Sequence, residues 1–408
     1  MNAVAPNGAE GFLARYAATK GNLPGDSTLR AAAAEAFRTL GLPGAERGRR
    51  VEAWKYTSLQ PLAGMSFRSG GEFSSMPLAD DANRIVVTNG QVSTSVPGMT
   101  RFADTPDFGE LAWPDRDPLT ALNTMLAEDG MVLTLPPGHD AGTLYLHHEN
   151  NNEASAHPRH LIRLARGARL TLIESSSGDG CYLHNPVSEI HVADGAVLTH
   201  VRIQTDDAAA FHMAMIYASV AEGGTYDSFT LNIGGRITRT EIHATLNGPG
   251  AVAHVNGAQL LRGSQHADFT SVMRHAMPKG TSRQTVKNVL AGRSRGVFQG
   301  RIEVARGARG TDGYQMNRAL LLSPDAEVDT KPELEIFADD VKCSHGATVG
   351  ELDAEQMFYL RSRGVPEQEA KSILVRAFLA EALDPVTNDT ARALLEDAVT
   401  RWWEGQTA

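Results

Sequence analysis

A glycine recurs through the middle of the chain at a nearly fixed interval. Gly167, Gly195, Gly223, Gly250, Gly280 and Gly307 are separated by 28, 28, 27, 30 and 27 residues. The first two stand in like settings, Ala165-Arg166-Gly167-Ala168 and Ala193-Asp194-Gly195-Ala196. Between the marks the residues alternate and favour strands, as in Val197-Leu198-Thr199-His200-Val201-Arg202-Ile203. A constant period of this length without a helical pattern is the signature of a β-solenoid, in which each coil adds a few strands and the glycine turns the corner. A glycine-rich sandwich also scatters turns, but six marks in near register favour the coil.

The flanks read differently. Gly11–Tyr16 and Ser27–Leu40 are helix-like, with Ser27 as N-cap and Gly41 in the C′ place. Arg84–Thr88 followed by Asn89-Gly90 reads as a strand and a tight turn. After Leu352 a helix runs from Ala354 to Arg361 and stops at Gly364, and Pro366 opens a second at N1. An apolar stripe of Ile373, Leu374, Ala377, Phe378 and Ala380 marks that second helix, Asp384-Pro385 breaks it, and a third spans about Asn388 to Trp403. The expected organisation is a mixed, partly helical region over 1–85, a β-helix core over 86–351 and a helical C-terminal region over 352–408.

Composition narrows the function. The 408 residues carry 38 Lys and Arg against 48 Asp and Glu, a net charge of −10, which argues against nucleic acid as the main partner. No run approaches the length of a membrane helix, and Met1–Gly8 has no basic segment leading into an apolar one. With only Cys181 and Cys343, a disulfide scaffold is not expected and a self-contained cysteine metal site is hard to assemble. The cytoplasm is the expected compartment. No Gly-x-x-x-x-Gly-Lys-Ser/Thr, Gly-x-Ser-x-Gly or His-Glu-x-x-His occurs, so ATP hydrolysis by this chain is not expected.

Fourteen histidines are scattered through the chain. Those at single strand positions, such as His191, His200, His243 and His254, read as solvated or hydrogen-bonded. His147-His148, beside Glu149-Asn150-Asn151-Asn152, reads as a polar loop with weak appeal as a metal site, and Cys181 as a thiol on which nothing converges. One segment differs: Asp339-Asp340-Val341-Lys342-Cys343-Ser344-His345. On a strand Cys343 and His345 project to one side. Both suit iron, copper or zinc, but two ligands close no site, so another segment or chain must supply the rest. On composition alone, a packed cysteine beside a hydrogen-bonded histidine is the blander alternative.

Several stretches together resemble the SufB/SufD family of iron–sulfur cluster assembly proteins. These are Arg50-Val51-Glu52-Ala53-Trp54-Lys55-Tyr56-Thr57-Ser58-Leu59, the run from Asp268 to Ile302, Leu334 through Cys343-Ser344-His345-Gly346-Ala347-Thr348, and Phe358-Tyr359-Leu360-Arg361-Ser362-Arg363-Gly364 with Ala377-Phe378. The resemblance covers about residues 45 to 383, and the Cys-Ser-His-Gly-Ala-Thr form is similar to the SufD branch. It implies a right-handed parallel β-helix between helical ends and a non-catalytic scaffold role. The implied partners are a SufB-like paralogue and a SufC-like ABC ATPase in a SufBCD-type complex, with a homodimer possible in isolation. A transient iron–sulfur cluster would be built at the shared interface, with His345 as the assembly residue and candidate metal ligand and Cys343 as the second candidate. Phe358, Tyr359, Leu360, Arg363 and Phe378 would contact the ATPase. Cluster type, iron and sulfur donors, acceptors and any flavin are not specified by the sequence. The competing expectation is a carbohydrate-active β-helix enzyme of the pectin lyase kind, which a missing leader and scattered carboxylates disfavour.

Overall fold

The computed structural model describes residues 8–44, 52–70, 83–151 and 153–407. Arg50 and Val51 of the N-terminal motif, Asn152 of the polar run, and Met1–Asn7 lie outside the described residues. The chain is a parallel β-solenoid of about eight turns with helices at both ends. Each turn lays one strand in each of two sheets. One sheet runs from Met131–Leu135 through Phe211–Val220 to Glu327–Ile336, the other from Arg84–Thr88 through Val197–Gln204 to Lys342–Gly350.

The corners follow the repeat with one adjustment. Gly167, Gly195, Gly223 and Gly250 adopt φ of 69°, 63°, 61° and 67°. Each donates its amide to the residue before the next corner: Gly167 to Asp194, Gly195 to Glu222, Gly223 to Pro249 and Gly250 to Pro278, at 2.9–3.1 Å. Gly280 and Gly307 do not turn the corner. Lys279 (φ 61°), Gly310 (φ 71°) and Asp340 (φ 57°) take the left-handed position instead. The hydrogen-bond column continues through them, from Lys279 to Arg309 and from Gly310 to Asp340. The backbone needs a left-handed residue there, and the column's amide bonds hold even a residue with a Cβ in that conformation.

Side chains alternate into and out of the coil. The inward set builds a core that includes Leu144, Leu172, Leu198, Ile216, Ile242, Phe269, Phe298 and Ile302. Outward apolar residues of the first sheet, including Phe211, Met213 and Met215, are covered by α1 (Gly8–Thr19), α2 (Ser27–Leu40) and α3 (Pro118–Leu126). The N-cap of α2 is Asp26, not Ser27, because the Asp26 side chain accepts from the Thr28 amide. Gly41 takes the left-handed C-terminal place as expected, and Asn89-Gly90 turns between Arg84–Thr88 and an antiparallel Gln91–Thr94.

The 3-10 turn Glu52–Trp54 ties the N-terminal motif to the same sheet. Trp54, 4% exposed, donates from Nε1 to Asp117 at 2.9 Å, and the Arg239 guanidinium lies 4.2 Å from its ring centroid. Arg239 also donates to the Ala53 carbonyl and pairs with Glu241 and Asp268. Thr57 donates to Asp268 at 2.5 Å.

The outer face of the second sheet is covered in part by α5 (Glu367–Leu383) and α6 (Asp389–Thr407), and α4 (Ala354–Ser362) leans on α5. Val375, Leu379, Ala382 and Leu383 of α5 and Ala391, Leu395, Ala398 and Trp402 of α6 pack on Phe229, Leu231, Leu260 and Val289. The stripe expected for α5 is therefore not its buried face, since Ile373 is 42% exposed and Ala377 is exposed. Alanine and leucine surround this helix, so hydropathy alone does not select a side. Pro366 stands at the N-cap rather than N1, and Asn388 Oδ1 caps α6 by accepting from the Ala391 amide.

Candidate functional site at the open end of the solenoid

The two ends of the coil are built differently. At the N-terminal end the parallel order is interrupted by short antiparallel strands, Gln91–Thr94 in one sheet and Met99–Arg101 in the other. At the C-terminal end the last strands, Glu327–Ile336 and Lys342–Gly350, are full-length and, among the described residues, unpaired on their outer edge. Ile336, Phe337 and Val349 are 40%, 63% and 54% exposed there. A long exposed edge with apolar side chains is a template for pairing with another chain.

Cys343 and His345 lie on this last strand. Its register places Cys343 beside Gly313 and His345 beside Gln315. Gln315 is fully buried, so the positions in register with it point into the coil, and His345 occupies the same column at the open mouth. Cys343 packs half-buried onto the inner core, while His345 is exposed. Both residues lie two apart on the one strand Lys342–Gly350. Burial pushes the Cys343 thiol up from its ordinary value, the Gly313 amide opposes this, and Asp312 adds to the rise. The thiol is therefore held protonated at neutral pH, and ligation of a metal there releases a proton. Of the two flanking carboxylates, Asp340 is a corner residue whose carbonyl accepts from Gly310.

The predicted ATPase-contact residues divide. Phe358 and Tyr359, 75% and 57% exposed, form an apolar groove with Leu360 of α4 and Ile373 and Leu374 of α5. Arg363, at the C-cap of α4, stands 5.3 Å over the Tyr359 ring. Phe378 belongs elsewhere: it is half-buried and packs toward the second sheet, with Lys287 over its ring.

The sequence reading missed a cluster inside the coil. His148 lies on the strand Asp140–Asn150, not in a loop, and is 1% exposed. His160, His184 and His212 are equally buried, and neighbouring rings stand 4.7–5.1 Å apart. His200 reaches Glu174 at 2.9 Å, so its reading as a hydrogen-bonded strand position holds, as does that of His243, 2.7 Å from Glu241. Arg202 pairs with Glu174 at 3.2 Å. Burial raises the Glu174 carboxyl, but Arg202 and His200 override it and hold the group well below the usual carboxylate range. The spacing could have revealed this cluster: His184 and His212 are 28 residues apart, one turn of the coil. Cys181 is half-buried and meets Met65 at 3.9 Å between sulfurs.

Comparison with known proteins decides the relationship. The model of the SUF system FeS cluster assembly SufBD core domain matches residues 146–378. The chain is 34% identical over 364 residues to the iron–sulfur cluster assembly protein SufD of Escherichia coli, covering 84% of this chain and 85% of that protein. The chain belongs to the SufB/SufD family. It is also 29% identical over 413 residues to a SufBD family iron–sulfur cluster assembly protein of Synechocystis, covering 91% of this chain and 90% of the relative. Membership connects the chain to iron–sulfur cluster assembly in the SUF system, on the SufD side of the family. Among the described residues, no helix is long and apolar enough to cross a membrane.

Proposed function

We propose that the chain is a non-catalytic, cytoplasmic scaffold subunit that pairs its open coil with a SufB-like paralogue and holds a nascent iron–sulfur cluster at the junction. The observation that carries this reading is the unpaired last strand, with Cys343 and His345 side by side at its mouth. Paired edge to edge, the two chains continue one sheet across the boundary, and each contributes part of a ligand set that neither completes. His345 offers an exposed imidazole without rearrangement. Cys343 offers a thiolate once a metal displaces its proton.

The groove between α4 and α5 is the docking place for a SufC-like ATPase in this reading. It is apolar, and one of its walls is α5, whose other face packs on the sheet that ends in the strand carrying His345. Force applied to α5 passes to that sheet through Lys287, on the strand Thr281–Leu290, two rungs from the last strand. ATP binding and hydrolysis by the partner could thereby strain the junction. In isolation the same edge favours a homodimer.

The test is co-expression of the chain, its paralogue and the ATPase with His345→Ala. The complex is expected to assemble with wild-type subunit ratios and to lose most of its iron and acid-labile sulfide. Wild-type iron and sulfide per complex in the variant would overturn the assignment.

A further inference from the structure

The inner wall of the coil holds a second group of metal-binding atoms, well away from the mouth. His184 Nδ1 lies 3.3 Å from His212 Nδ1, and His212 Nδ1 lies 2.9 Å from Asp206 Oδ2. All three side chains are at least 97% buried. They cluster as a set in which each supplies one ligand atom. Ligands bonded to one ion at 2.0–2.1 Å stand about 2.9–3.4 Å from each other in octahedral or tetrahedral geometry. The two distances fall within that range, and all three ligand atoms lie within 4.8 Å of one another.

Asp206 is held in position by neutral donors. Tyr182 donates to Oδ1 at 2.6 Å, Gln204 to Oδ2 at 2.8 Å, and Ser176 reaches both oxygens at 2.8 and 2.9 Å. Donors of this kind fix a ligating carboxylate from the outer shell. The recorded ion pair of Asp206 is with His212, whereas Glu174 nearby has the Arg202 guanidinium. A buried carboxylate without a permanent cation costs free energy unless a positive charge is supplied. Beside the His184 ring, at 4.7 Å between centroids, stands the buried His148, whose Nε2 faces Glu174 at 3.7 Å.

We propose that the coil binds one divalent first-row transition ion through His184, His212 and Asp206. Two imidazoles and one carboxylate suit Fe2+ or Zn2+ and not Mg2+ or Ca2+. The site is separate from the mouth: the strand carrying His212, Phe211–Val220, is four rungs from the last strand of its sheet. The ion is sealed in by the coil and enters as the chain folds.

The test uses the full chain carrying Cys343→Ser and His345→Ala, so that bound metal cannot reside at the mouth. The protein is expressed in medium supplemented with iron or zinc, purified and analysed by plasma mass spectrometry. It is then stripped in denaturant and refolded with Co2+, whose visible absorption reports nitrogen and oxygen ligation. About one ion per chain and a Co2+ spectrum are expected. In Asp206→Asn, which keeps the shape of the side chain, and in His212→Gln, metal content should fall at least tenfold and the Co2+-dependent rise in melting temperature should vanish. Circular dichroism of each variant separates ligand loss from failure to fold, and one folded variant suffices. Absence of metal and of the Co2+ spectrum in the parent, or full occupancy in a folded variant, would overturn the proposal. Either result leaves the cluster-assembly reading standing, since that depends on His345 in the assembled complex.

Discussion

Lys287 donates to the Phe378 carbonyl at 2.6 Å, and its ammonium stands 4.5 Å from the centroid of the same residue's ring. The lysine is 2% exposed and also meets Glu381 at 2.6 Å, so one side chain of the sheet clamps α5 at two successive turns. A hydrogen bond from a charged donor contributes about 1.5–3 kcal/mol and a desolvated cation–π contact up to about 2 kcal/mol. Lys287→Ala is expected to loosen α5 and α6 by about 2–4 kcal/mol, allowing for overlap between the two contacts. Hydrogen exchange should show faster exchange in residues 367–404 with the coil unchanged. Equal protection in the two proteins would show that the clamp is not what holds the helix.

The groove residues are predicted to matter for capture and not for folding. Phe358→Asp replaces a side chain that is 75% exposed, so its effect on stability should stay within about 0.5 kcal/mol. Pull-down of the SufC-like ATPase should be lost. Deleting everything after Glu351 is the poorer experiment, because it uncovers Phe229, Leu231 and Leu260 on the second sheet.

Trp54→Ala should cost about 3–5 kcal/mol, the range for a buried aromatic, because it removes the ring beneath Arg239 and the donor to Asp117. Trp54→Phe keeps most of the ring and should cost about 1–3 kcal/mol through the unpaired Asp117. Burial, with Glu241 adding to it, raises the Asp117 carboxyl, so its protonation eases the loss and the difference from wild type should shrink in acid. Urea unfolding at several pH values measures both.

Acid sensitivity should begin with histidines. Burial lowers His157 to about 3, His160 to about 4 and His275 to about 4 from an ordinary 6.5. Each is neutral in the folded chain and charges on unfolding. Their contribution is therefore complete above pH 6.5 and is lost as pH falls toward 3–4. His160→Asn removes one such proton, so the slope of stability against pH between about 4.5 and 6 should fall by about 1.4 kcal/mol per unit. An unchanged slope would rule out His160 as a buried neutral group.

At the corners, Gly195→Ala places a Cβ in open space but in a left-handed backbone, and should destabilise by about 1 kcal/mol. Lys279→Gly reverses the situation in the same column and should stabilise by about 0.5–1 kcal/mol. Melting temperatures of the two variants, moving in opposite directions, provide the check.

These corners also show what was legible in the sequence. The period emerged because most left-handed positions are glycine, and it blurred where Lys279 and Asp340 took that conformation under the force of the hydrogen-bond column. Cys343 and His345 were readable as a pair because strand alternation is strictly local. The histidine cluster was legible only through the 28-residue spacing of His184 and His212, since His148 precedes Glu149-Asn150-Asn151-Asn152, a composition typical of loops, and its partners arrive from other coils. The burial of α5 was not readable, because apolar residues occur on more than one of its faces and only the sheet beneath selects among them.

The difference between the two ends sets a stoichiometry. Strands of nine and ten residues stand open at one end, whereas short reversed strands close the other. A rod with two such open ends would add copies without limit and grow into a fibre. Among the described residues the long open edge is at one terminus, so pairing as proposed would consume the edge that each molecule offers there. If the proposed pairing uses this edge, assembly through it would stop at two chains, whether the second is a copy or a paralogue.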